Sequence, residues 1–240
     1  MGTSKDREGG SGGDWSPYKR AATDYAKGVG RKGGDPTKVE RVLGRHVAVL
    51  GGASGATSGA VAGQRGLSAL AGLLSGIASH GLAPALENAG LGHLVGLSRF
   101  DALDRLVTEI TGDGSDLESQ AARDALCDVL EELFAEDAES WQDLEATSLD
   151  ESAAVDLLEM FLAHYIHNRL PVVAERLARR LDLSAVNAAE QQLIDTIRGY
   201  VNLHMPADPL TFDWTGSEGA EFANDAIHNI YNALEGLAEE

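Results

Sequence analysis

From Gly66 onward, apolar residues recur at spacings of three and four, and nothing after residue 50 alternates apolar and polar as a strand would. Leu67, Leu70, Leu74 and Ile77 fall on one helical stripe, and Phe100, Leu103, Val107 and Ile110 on another. Further stripes run through Leu126, Leu130 and Leu133, through Leu158, Phe161, Leu162 and Tyr165, through Leu193, Ile197 and Val201, and through Ile227, Tyr231 and Leu234. The punctuation between them agrees. Ser98 stands where an N-cap belongs, and Gly112-Asp113-Gly114 closes the helix it opens. Ser115-Asp116-Leu117-Glu118 and Ser148-Leu149-Asp150-Glu151 have the form of capping boxes. Pro171 opens a short helix ending near Leu181, Ser184 precedes the fifth stripe, and Ser217 starts the last helix after a loop at 205–216. The expected fold class is all-α, an irregular multi-helix bundle.

The first third of the chain reads differently, with 22 of the 28 glycines in the first 100 residues. Residues 1–34 are expected to be a flexible, Gly-rich, basic tail and linker, with a short helix over Asp14–Lys27 around Tyr18, Ala22 and Tyr25 and a linker over Gly28–Gly34. Asp35-Pro36 pairs a cap with a helix-compatible proline and opens a helix through Val39, Leu43 and Val47. Residues 35–240 then form the helical domain, with a Gly/Ala-rich joint at 51–66. The run VAVLGGASGATSG at 47–59 has the look of a strand meeting a dinucleotide-binding turn. Its glycines are off the GxGxxG spacing, however, and no βαβ unit or ribose-binding acid follows. No Lys-Ser or Lys-Thr follows either, which removes a P-loop. The run reads as the end of the Pro36 helix and the start of a flexible joint.

Charge sharpens this division. The net charge of −19 is the sum of a basic arm at 1–66, with 11 Lys/Arg against 6 Asp/Glu, and an acidic remainder with 8 against 32. Such a body repels nucleic acid, which is not expected as a partner. The single cysteine, Cys127, lies in an apolar run and reads as a buried, inert thiol. The polar N-terminus carries no signal peptide and Gly66–Ala78 is too short to span a bilayer, so a cytoplasmic protein without a membrane partner is expected.

Little of the chemistry points to catalysis, and neither an enzyme nor a cofactor is expected. His164 and His167 sit at i and i+3 and are the nearest approach to a metal pair, but no third ligand is well placed and no metal is expected. Asp113, Ser115 and Asp116 around Gly114 lack the spacing of a calcium loop. Ser68, Gly72 and Gly76 repeat every four residues, a helix-contact face for a close crossing in the core or between subunits. At the start of the chain, removal of Met1 would leave Gly2 as a free amine. Position 6 is Asp6 rather than the Ser or Thr of a myristoylation signal.

The MGTS start, the polar tail, and the segments GLSALAGLLSGIASHGL, ENAGLGHLVG and LESQAARDALCDVLEELF together resemble the QatB component of bacterial QatABCD anti-phage systems. The tail departs from that family at Lys5-Asp6-Arg7-Glu8, where a Gly/Ser/Pro-rich continuation would stand. The resemblance implies a non-enzymatic defence component. Its implied partners are a QueC-like enzyme (QatC-like), an ATPase (QatA-like) and a TatD-like nuclease. It further implies that Gly2 is the residue modified, with a deazaguanine, and that Gly2, Thr3 and Ser4 form the partner-binding tail. A homo-oligomeric scaffold or effector subunit is the alternative.

Overall fold

The computed structural model describes residues 14–32, 35–134, 140–205, 209–214 and 216–238, and among them it contains twelve α-helices, two 3-10 turns and no strand. In chain order the first six helices are α1 (Trp15–Lys32), α2 (Pro36–Val49), α3 (Gly52–Ser58), α4 (Val61–His80), α5 (Leu82–Asn88) and α6 (Arg99–Thr111). The others are α7 (Leu117–Leu133), α8 (Trp141–Glu145), α9 (Glu151–Asn168), α10 (Pro171–Ala178), α11 (Leu183–His204) and α12 (Ser217–Gly236). No helix is long and apolar enough to cross a membrane among the described residues.

The helices fall into two compact units. The first comprises Met1–Ala60, Ile166–His204 and Ala226–Glu240; the second comprises Val61–Tyr165 and Met205–Asp225. The chain changes unit inside α9 and inside α12.

In the first unit, Tyr18, Ala22 and Tyr25 bury one face of α1, and Val39, Leu43 and Val47 bury the facing stripe of α2. Tyr25 Oη donates to the carbonyl of Ala189 on α11 at 2.7 Å, so the hydroxyl that this burial removes from water keeps a partner. Asp35 caps α2 by accepting from Thr37 N–H, with Pro36 in the first turn. Two readings change here. Gly28–Lys32 is helical, an extension of α1, rather than linker. Packing of an amphipathic face against α2 outweighs the roughly 1 kcal/mol that each glycine costs a helix. Gly33 and Gly34 lie outside the described residues. The stretch after Val49 is a tight corner instead of a flexible joint. Gly51 and Gly52 adopt φ of 90° and 75°, a left-handed turn open to glycine, and α3 follows at once with Ala53, Ala56 and Thr57 buried.

In the second unit, Leu67, Leu70, Leu74 and Ile77 of α4 are buried with Leu126 and Leu130 of α7 and Leu158, Phe161, Leu162 and Tyr165 of α9. Gly63 and Gly66 bring α4 close to α9: a Cβ on Gly63 would fall on the Tyr165 ring, and one on Gly66 would lie 2.7 Å from Phe161 Cζ. On α6 the buried face is rotated from the expected stripe. Ala102, Leu106, Val107 and Ile110 point inward, and Phe100 is 79% exposed. Ser98 caps α6 as expected, through Asp101 N–H.

Aspartate replaces serine as the cap at three other helices. Asp116, not Ser115, accepts from Ser119 N–H at the start of α7. Asp150, not Ser148, accepts from Ala153 N–H before α9, and Asp182 accepts from Ala185 N–H before α11. A carboxylate satisfies the same orphan donor and adds a favourable charge at the positive end of the helix.

Candidate functional site

The residues expected to meet a partner enzyme, Gly2, Thr3 and Ser4, lie outside the described residues. What the structure gives is the ground to which they are attached. The chain enters α1 at Trp15, and within one turn Tyr18 is fully buried, its ring 5.3 Å from that of His46 on α2. Burial pushes the Tyr18 hydroxyl above its ordinary pKa and holds His46 down at about 3, the nearby Arg169 charge adding to the effect on His46. Both rings are therefore neutral at physiological pH.

Arg169 is the charged centre of this first unit. It is 7% exposed. Its Nη1 donates to Tyr231 Oη at 2.7 Å and to the Ala56 carbonyl at 3.4 Å, and its Nη2 donates to the Gly59 carbonyl at 3.3 Å. The guanidinium thus serves the carbonyl end of α3, where a helix presents negative partial charge, and gives the buried Ala56 carbonyl and Tyr231 hydroxyl a donor.

The starts of α3 and α4 share one device. Neither is preceded by Ser, Thr, Asp or Asn. Ala53 N–H donates to Glu235 Oε2 at 2.9 Å in the first unit. In the second, Ala62 and Gly63 donate to the two oxygens of Glu118 at 3.1 and 2.9 Å, and Tyr165 Oη donates to the same carboxylate at 2.7 Å. Glu118, which the sequence offers as half of a capping box on its own helix, caps another helix instead. Sequence spacing carries no signal for such long-range caps.

The face of Ser68, Gly72 and Gly76 meets residues of its own unit. Ser68 Oγ donates to the Gly219 carbonyl, a Cβ on Gly72 would lie 3.5 Å from Trp214, and one on Gly76 would lie 2.9 Å from the Ala85 methyl. Ser68, Gly72, Gly76, Ala85 and Trp214 line a cavity of about 700 Å³, with Arg65 and Asn88 among its polar walls. Trp214 Nε1 donates to the Pro209 carbonyl, which fixes the indole beside α4.

The histidine pair diverges. His164 Nδ1 donates to Asp128 Oδ2 at 2.6 Å, while His167 Nδ1 lies 3.3 Å from Asn168 Oδ1. Among the described residues no three His, Cys, Asp or Glu side chains gather as a metal site requires. Asp116 is committed to its cap, and the loop carbonyls of Gly112 and Gly114 accept from Arg123. Cys127 is half-buried rather than buried. Desolvation, then Asp124, Asp128 and Glu131, push its thiol above the ordinary value, which disfavours the nucleophilic thiolate.

Comparison with known proteins places this architecture. No curated protein and no solved structure matches the chain. A family model described as the Qat anti-phage system associated protein QatB matches residues 51–234, from the corner before α3 to the last turns of α12. That span is well over half of the 240 residues. The chain belongs to the QatB family of anti-phage defence proteins.

Proposed function

We propose that this chain is a protein substrate within its defence system: it binds a QueC-like enzyme and offers the amine of Gly2 for modification with a deazaguanine. Membership of the QatB family carries the reading, since it sets the chain among the components of a Qat system. An ATPase and a TatD-like nuclease complete the set of partners. The chain itself performs no catalysis.

The chemistry is an acyl transfer. The enzyme activates the carboxylate of a carboxy-deazaguanine with ATP, forming an acyl adenylate and releasing pyrophosphate. The neutral Gly2 amine adds to the acyl carbon in place of ammonia. A C–N bond forms, the C–O bond to AMP breaks, and the amine proton passes to solvent. Glycine suits a channel shaped for ammonia because it has no Cβ, and an α-amino group with a pKa near 7.7–8.0 is partly neutral at physiological pH. Thr3 and Ser4 supply short polar contacts. Extended, residues 2–13 span at most about 40 Å from Asp14.

Anchoring supports the reading. Tyr18 and Tyr25 bury α1 into its unit, so a pull on the tail is resisted just beyond its root. The test is the intact mass of the chain expressed with its genomic neighbours and alone. A deazaguanine-sized increment is expected only with the QueC-like neighbour, and it is expected to vanish in Gly2→Pro. The same mass in both samples would remove the reading.

A further inference from the structure

Arg20 on α1 and Arg41 and Arg45 on α2 line one recess of about 570 Å³ in the first unit, with Ser16, Asp24 and Ala238 on its walls. This clustering runs against the composition, which has 38 acids for 19 bases. Arg41 and Arg45 stand at i and i+4, where like charges repel and destabilise an isolated helix. None of the three guanidiniums forms a hydrogen bond or ion pair among the described residues. Arg179 and Lys27, by contrast, are each matched to a carboxylate on their own helix.

The recess also has a telling position. Ser16 lies in the first turn of α1, directly after the tail root, and α1 and α2 precede the residues 51–234 of the family match. We propose that this recess is the docking surface for a carboxylate-bearing face of the enzyme that receives Gly2, an inference that rests on the reading of Gly2 as the modified residue. Docking at the tail root makes entry of Gly2 into the active site an intramolecular event instead of a second encounter. Three arginines present planar forks matched to carboxylates, which lysines would not. Asp24 on the same wall favours a protein face over nucleic acid. A mixed surface can answer both signs, whereas a phosphate backbone would be repelled by Asp24 and by the chain's net charge of −19.

The test measures binding of the full chain to the purified QueC-like enzyme by biolayer interferometry at low and high salt, together with the mass of Gly2. R20E/R41E/R45E is expected to lower the association rate at least tenfold at low salt and to abolish its salt dependence. R41Q/R45Q, a gentler change, is expected to weaken binding in the same direction, with melting temperatures confirming that both variants fold. Modification of Gly2, read as the mass of the N-terminal peptide, is expected to fall together with binding in both arginine variants. Unchanged binding by both arginine variants overturns the docking surface, as does loss of affinity for a single-stranded oligonucleotide with enzyme binding intact. Arginine-dependent binding without any modification of Gly2 leaves the docking surface standing and removes the modification.

Discussion

The two units solve the same problem, packing short helices in a chain poor in aromatics, by opposite means. The second unit closes by subtraction: Gly63 and Gly66 remove side chains from α4 so that Tyr165 and Phe161 of α9 can lie against its backbone. The first unit closes by inclusion: a charged Arg169, a neutral His46 and the hydroxyls of Tyr25 and Tyr231 are taken inside, and the guanidinium and Tyr25 hydroxyl are held by hydrogen bonds. Their charges differ as sharply. The first unit holds 15 Lys/Arg and 13 Asp/Glu, and the second 4 against 25. Net charge therefore misdescribes both: one unit is close to neutral with a basic recess, and the other is strongly acidic. An anionic partner would meet them on different terms.

The contrast predicts how each unit fails. Arg169→Met should cost most, about 3–4 kcal/mol, because it removes a buried donor that the Tyr231 hydroxyl and the Ala56 carbonyl share. Chemical denaturation would show it as a fall in the midpoint. Gly63→Val should cost about 3 kcal/mol for the opposite reason, an added side chain driven into the Tyr165 ring. Tyr165→Ala in the same chain should recover part of that loss, whereas nothing comparable rescues Arg169→Met.

Acid should act through the first unit. His46 is held at about 3 when folded and titrates near 6.5 when unfolded, so the unfolded state binds the proton first. Stability is then full above pH 6.5 and falls as the pH drops toward 3, by about 2 kcal/mol at pH 5. His46→Leu should flatten that limb of a stability–pH profile measured between pH 7 and 5.

How much of this was legible follows from where each signal sits. The all-α class and the stripes of α4, α7, α9, α11 and α12 were readable because burial imposes a period on neighbouring residues. Helix starts were readable to within a residue or two, but their chemistry was not: serine and aspartate compete for the same donor, and Asp116, Asp150 and Asp182 took it. The corner at Gly51–Ser58 looked flexible because glycine is permissive in isolation, while its order comes from Glu235, far away in sequence. Glu118 is the same case in the other unit. Of the proposed site, Gly2 was read through resemblance, and the arginine recess could not be read at all, because Arg20 meets Arg41 and Arg45 only once α1 and α2 pack.

The most direct test combines the purified chain, the QueC-like enzyme, a carboxy-deazaguanine and ATP in one reaction and follows the mass of the N-terminal peptide. The account predicts one deazaguanine per chain on Gly2, formed with AMP and blocked by Gly2→Pro. A chain that stays at its starting mass while the enzyme consumes ATP and ammonia would contradict it.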